Sequence, residues 1–194
     1  MGAGPAVAEA RVLVAGIGNV FLGDDGFGVE VAQELLRRQS LPAGVRVVDY
    51  GIRGYDVAYD MLDDYEATVL IDATPRGDAP GTVYVIAPDL DTGVPDPSDM
   101  PDHGQGAFQG HAMTPAAVFA LVRTLGGTPR RVLIVGCEPE SFGDETIGQM
   151  GLTETVQRAV ATGADTVEHV VRDVLASGTA LEKERATAGG GSHA

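Results

Sequence analysis

The chain has 194 residues, 44% of them hydrophobic, one cysteine, and a formal net charge of −15 from 28 acidic against 13 basic residues. That length fits one domain with a real core, and the single cysteine excludes an internal disulfide. The acidic balance repels phosphate backbones and sets nucleic-acid binding aside. No apolar run reaches the ~18 residues of a membrane span, and the start "MGAGPAVAEA" lacks the flank and core of a signal peptide. The expectation is a cytoplasmic, monomeric protein with no membrane partner.

In chain order, "RVLVAG" (11–16) is short, apolar and ended by glycine, which predicts a buried strand. Residues 26–38 carry Val29, Ala32, Leu35 and Leu36 at helical spacing, with arginines in the last turn. Strands follow at 44–50, 67–73 and 81–88, with a short helix at 54–64 between the first two. Residues 88–110 are rich in Pro, Gly and Asp without periodicity, and a loop of that length is commonly functional or disordered. Thr114 and Pro115 then read as N-cap and first turn of a helix running to about Leu125. A fifth strand covers 130–139 and a final helix 152–176, and the tail from 177 has a disordered composition. The alternation predicts an α/β domain over 11–176, with a mostly parallel sheet between helices and a flexible segment at 1–10.

On that scaffold the acidic residues fall on one edge. Asp25 lies in the turn after the first strand, Asp49 and Asp72 close the second and third, and Glu138 follows the fifth. These are the carboxyl ends of the strands, where open α/β sheets bind ligands. Arg11, Arg46 and Arg131 begin strands at the opposite edge. Carboxylates converging on one cleft either take up protons or are neutralised by a cation. Asp and His suit a borderline divalent metal. Asp25, Asp72 and His111, which ends the long loop, would form a set with open positions.

Each residue has a plainer reading. Asp24 or Asp25 would serve as N-cap of the first helix. Asp72 would form the turn before "TPRG". Asp49 would hydrogen-bond local backbone, Glu138 would be a surface residue, and His111 a solvated one with His103 as its competitor. Cys137 reads as a buried strand residue with nothing marking it as an activated thiolate. The dinucleotide fingerprint keeps Gly16 and Gly18 but has Phe21 where its third glycine belongs, and Asp24 and Asp25 would face the pyrophosphate.

Five blocks in order carry a resemblance. "VLVAGIGNVFLGDDGFGVEVAQEL", "VVDYGIRGYDVAYDML", "VLIDATPRGDAPGTVYV", "HAMTPAAVFALV" and "VGCEPESFGDETIGQMGLTETV" resemble the nickel–iron (NiFe) hydrogenase maturation proteases over about residues 11–175. The resemblance implies a twisted, mainly parallel five-stranded sheet between helices, of phosphorylase/hydrolase-like type. It implies an endopeptidase, grouped with the aspartic peptidases, that removes a C-terminal extension from the hydrogenase large-subunit precursor after nickel insertion. The family's metal-binding residues fall on Asp25, Asp72 and His111, and its aspartate after the second strand on Asp49. Asp25 stands where the family often has Glu, and Tyr50 where it has glycine.

Two chemistries are open at this stage. A bound divalent metal would polarise the scissile carbonyl or activate water. Alternatively the nickel belongs to the substrate, Asp25, Asp72 and His111 recognise it, and Asp49 or Asp72 assists the water. A non-catalytic metal-handling chaperone is the rival from another class.

Overall fold

The computed structural model describes residues 11–88, 115–128, 130–143 and 147–189, with side chains as far as residue 177. Five strands, β1 (Val12–Ile17), β2 (Val45–Gly51), β3 (Ala67–Ala73), β4 (Val83–Ile86) and β5 (Arg131–Cys137), form one sheet in the order β2-β1-β3-β5-β4. All neighbours are parallel except β4, which runs antiparallel to β5 with Val83 opposite Cys137. Every residue of β1 and β3 is buried, as expected for central parallel strands covered on both faces.

Four helices supply the cover: α1 (Phe27–Arg38), α2 (Gly54–Asp60), α3 (Pro115–Thr124) and α4 (Glu154–Gly189). Strand alternation divides the core in two. Val12, Val14, Val69, Ile71, Val135 and Cys137 pack with Phe27, Val31 and Val167 on the α1–α4 side. Leu13, Ala15, Ile17, Leu70 and Ile134 pack with Val57, Val118 and Phe119 on the α2–α3 side. Arg38 ties α1 to α4 through Asp165 at 2.6 Å and Glu168 at 3.2 Å.

Two glycines set how close α1 comes to the sheet. A Cβ on Gly28 would lie 2.1 Å from the Ile71 carbonyl oxygen and 2.3 Å from that of Ile17. One on Gly16 would lie 2.3 Å from the Gly28 carbonyl oxygen. The helix therefore begins almost in contact with the backbones of β1 and β3.

Within the described residues the sequence expectations differ from the structure at several points, and the segments expected at 1–10 and 89–110 and the cap at Thr114 lie outside those residues. The helix expected at 54–64 ends at Asp60. A single 3-10 turn, Gly23–Gly26, precedes α1, so the helix starts at Phe27. Residues 81–88 contribute the short antiparallel edge strand β4. The last helix continues to Gly189, where a disordered tail was expected. That stretch, "ALEKERATA", has few apolar residues but is built of strong helix formers, and propensity outweighed composition there. Among the described residues no helix is long and apolar enough to cross a membrane.

At the amino edge of the sheet the arginines are matched by acids. Arg11 makes a two-pronged pair with Glu66, at 2.6 and 2.8 Å. Arg46 reaches the Tyr65 hydroxyl at 2.8 Å and Asp60 at 2.9 Å. For Arg11 and Arg46 the segregation of charge read from strand ends is thus local pairing at this edge.

Substituting Gly28→Ala is expected to destabilise the chain by about 2–3 kcal/mol, because the new methyl strikes backbone that has nowhere to go. Urea unfolding measures this. A loss below about 0.5 kcal/mol, the level of a neutral surface change, would mean that α1 has room to retreat.

Candidate active site

The loop leaving β1 folds back on itself at the carboxyl edge. Gly18 has φ +132, and a side chain there would meet the Asp25 carbonyl oxygen at 1.8 Å. Asn19 organises the turn at both ends of its side chain and backbone. Its amide side chain accepts from the Phe21 N–H at 3.0 Å, and its own N–H donates to the Asp25 carboxylate at 2.6 Å.

The two adjacent aspartates have different surroundings. Asp24 is fully buried, and its carboxylate accepts from the N–H groups of Glu140 (2.8 Å), Ser141 (2.9 Å) and Thr153 (2.7 Å) and from the Thr153 hydroxyl (3.0 Å). The same hydroxyl accepts from the Val156 N–H at 3.4 Å, as an N-cap of α4 does. Asp24 therefore joins the turn after β1 to the segment after β5 and to the start of α4. Neither aspartate caps α1: its N-cap is Gly26, without a side-chain hydrogen bond.

Asp25 is partly exposed and lies near Asp72. Asp72, on β3, is 7% exposed and receives a long contact from the Thr74 hydroxyl, 3.4 Å. Burial pushes the Asp72 carboxyl up to about 8, and the neighbouring Asp25 charge pushes the same way, against hydrogen bonds from Ala73 and Thr74. Alternation along β3 sends Asp72 to the α2–α3 side, with Leu70. α3 runs antiparallel to the strands and begins at Pro115, so its start lies at this same edge and on this same side.

Asp49 belongs to the other side. It alternates with Val45 and Val47, which face α1, and accepts from the Gln33 side chain on α1 at 3.1 Å. Its carbonyl oxygen accepts from Arg53 at 2.7 Å. The sheet thus separates Asp49 from Asp72. The pairing between β1 and β2 slips here, from Gly16↔Asp49 to Ile17↔Gly51, leaving Tyr50 as the extra residue. Tyr50 turns into the α2–α3 core and its hydroxyl reaches Asp60. The Tyr50 ring fills core volume.

Glu138 is buried at the carboxyl edge, so its plainer reading as a surface residue does not hold. Its carboxylate accepts from the N–H groups of Arg76 (2.7 Å) and Gly77 (3.1 Å). Desolvation opposes its charge, but backbone donors from residues 76–78 outweigh it and hold the carboxyl below its usual range. Arg76 lies over the Tyr84 ring, 4.9 Å from its centre, and the Tyr84 hydroxyl donates to the Thr74 carbonyl. The loop behind Asp72 is therefore fixed from three directions. Cys137 is buried beside this clamp, and burial with the Asp24 and Glu138 charges pushes its thiol up to about 12. A thiol so placed is no nucleophile at neutral pH.

Of the sequence-derived set, then, Asp25 and Asp72 come together. His111 and its competitor His103 lie outside the described residues. Among the described residues no three metal-binding side chains gather in one place. Two functional supports, Asp24 and Glu138, had no distinguishing mark in the sequence as braces, because their partners are backbone groups far along the chain.

The chain matches the family model described as hydrogenase maturation protease over residues 29–170. It is 34% identical to the hydrogenase expression/formation protein HupD of Rhodobacter capsulatus, over 72% of this chain and 62% of that one. It is 26% identical to the hydrogenase 2 maturation protease of Escherichia coli, over 84% of this chain and 92% of its relative. The fold is similar to that of the hydrogenase maturating endopeptidase HybD from E. coli, with a TM-score of 0.61 and 25% identity over 84% of this chain and 93% of the other.

The Asp72 environment predicts a pH-dependent cost. An unfolded carboxyl ionises near 3.8 and the folded one near 8, so the folded protein holds an extra proton between those values. Stability contributed by this group therefore falls as pH rises from about 4 to about 8. In metal-free protein, Asp72→Asn is expected to raise stability at pH 8 by at least about 1 kcal/mol, or about 2–4 °C in Tm, with a smaller gain at pH 5. Calorimetry at the two pH values checks this. A lower Tm for the variant at pH 8 would contradict it.

Proposed function

The chain belongs to the family of hydrogenase maturation proteases, and from that premise we propose that it removes the C-terminal extension of a nickel–iron hydrogenase large-subunit precursor after nickel insertion. The nickel carried by the precursor is the recognition signal, and Asp25, Asp72 and His111 are the residues that contact it. The chain spans 62% of the length of HupD and 92% of that of the E. coli protease, so the activity assigned is that of the shared peptidase region.

One observation carries this reading: two carboxylates, Asp25 and Asp72, share the carboxyl edge, and Asp72 is held neutral until something positive arrives. A cation relieves both the burial and the like-charge repulsion, and it displaces the Asp72 proton as it binds. Asp24 is not available for this, because its carboxylate oxygens already accept four hydrogen bonds. The third contact fits the chain path. His111 precedes Pro115, and α3 begins at the carboxyl edge on the side that Asp72 faces.

Oxygen and imidazole donors are compatible with nickel already held by other ligands of the precursor. The protease then adds donors to an existing metal site and needs no metal of its own. Contact with nickel places the adjoining peptide bond against Asp25 and Asp72, an orientation effect that converts a remote bond into a local one. Asp72, having lost its proton, is placed to accept one from the attacking water. Asp49, on the far side of the sheet, is outside this set. Its reading as an assisting carboxylate is retained only for a substrate chain that crosses the edge between β1 and β2.

His111→Ala is expected to abolish processing while leaving the unfolding transition unchanged, as seen by gel mobility of a nickel-loaded precursor. Normal cleavage by this variant would remove the site assignment. Precursor prepared without nickel is expected to remain uncut by the wild-type chain under the same conditions. Equal cleavage of the two forms would remove nickel as the signal.

A further inference from the structure

The loop that carries Asp25 is stitched to a second loop that plays no part in the proposed chemistry. Leu22 pairs with Gln149 as an isolated parallel bridge. The Gly23 N–H donates to the Gln149 carbonyl at 2.7 Å, and the Gln149 N–H to the Phe21 carbonyl at 2.8 Å. The Asp24 N–H donates to the Ser141 carbonyl at 3.0 Å, which brings Phe142 against Gly23. This stitched pair of loops displays four large apolar side chains to solvent: Ile147 at 84% exposure, Met150 at 77%, Phe21 at 59% and Phe142 at 37%.

Such a grouping is unusual on a chain with 28 acidic residues, where charge is available to cover the surface. Exposed apolar side chains scattered singly require no explanation, but these four sit on two loops held together by backbone hydrogen bonds. The rest of the molecule indicates the occupant. The backbone that presents Phe21 also presents Asp25, and Asp24 locks both loops to α4. Asp25 follows Phe21 by four residues in the same turn, so a chain that reaches Asp25 comes close to the loop that bears Phe21. A chain of charge −15 also needs an attraction other than charge toward any partner that is not basic, and the apolar set supplies it.

We propose that Phe21, Phe142, Ile147 and Met150 form the docking surface for an apolar part of the large-subunit precursor next to its cleavage segment. The proposal rests on the reading of the precursor as substrate. The surface supplies binding energy that is the same in ground state and transition state, whereas Asp25, Asp72 and His111 act at the reacting centre. Met is suited to this task, since its flexible thioether follows partners of differing shape.

The division of labour makes the test specific. Steady-state cleavage of nickel-loaded precursor is measured for the wild-type chain, for Met150→Ser, and for Ile147→Ser combined with Met150→Ser. Thermal unfolding and sedimentation of each variant are measured alongside. The expected result is a KM raised about tenfold or more in the double variant, with kcat within about twofold and Tm unchanged, as befits the loss of uniform binding. A KM within about twofold of wild type overturns the proposal. A wild-type dimer that the double variant splits would instead assign the surface to a second copy of the chain. A lowered Tm with unchanged KM would assign it to a segment of the same chain. Both outcomes also overturn it. Failure of the substrate reading is distinct: there the wild-type chain leaves the precursor uncut, whatever the variants do.

Discussion

The buried carboxylate of Asp24 is the interaction on which the carboxyl edge depends. Its four hydrogen bonds tie the turn that bears it to two other stretches of chain, residues 140–141 after β5 and Thr153 at the start of α4. A charge with no exposure is tolerated only when its lone pairs are met, and here main-chain N–H groups and one hydroxyl meet them. Removing the carboxylate would leave these donors without an acceptor and free the turn. Asp25, one residue on, inherits its position from that bond set. The charge that looks like half of a pair in the sequence is the anchor, and its neighbour is the partly exposed one.

Stability and function pull in opposite directions along this edge. Asp24 and Glu138 are carboxylates whose partners are all donors, so they strengthen the fold. Asp72 is buried with one long contact from Thr74 and a like charge nearby, so it weakens the metal-free protein. All three lie at the carboxyl edge of the sheet. A rigid frame lets an unfavourable group persist, and the same frame keeps the loops at residues 19–23 and 74–78 from relaxing to relieve it.

Much of this was legible in the chain itself. Short apolar runs ending in Gly, Asp or Cys announced β1, β3 and β5, and their parallel order put Asp25 and Asp72 on one edge. Which side of the sheet each residue faces was hidden for β2, because the slip at Tyr50 depends on pairing with β1. Asp49 and Asp72 look equivalent as strand-end aspartates, yet the sheet stands between them. The fates of Asp24 and Glu138 were hidden for another reason. Their donors are backbone groups apart from the Thr153 hydroxyl, backbone groups carry no residue-type signal, and the donors of Asp24 lie more than a hundred residues away. Glycine inside a helix is unfavourable on propensity alone, and the value of Gly28 emerges only from how close Ile17 and Ile71 stand.

α4 has a practical meaning beyond its packing. It starts beside Asp24 at the carboxyl edge and descends along the sheet, and its 36 residues make a rod of about 54 Å. A seven-residue strand such as β3 is less than half that length, at about 23 Å. The helix therefore continues well past the amino edge before it ends. A dye, an affinity tag or a surface linkage attached to that end stands at the pole opposite Asp25 and Phe21. The molecule comes with its own handle, one by which it can be held with the carboxyl edge left open.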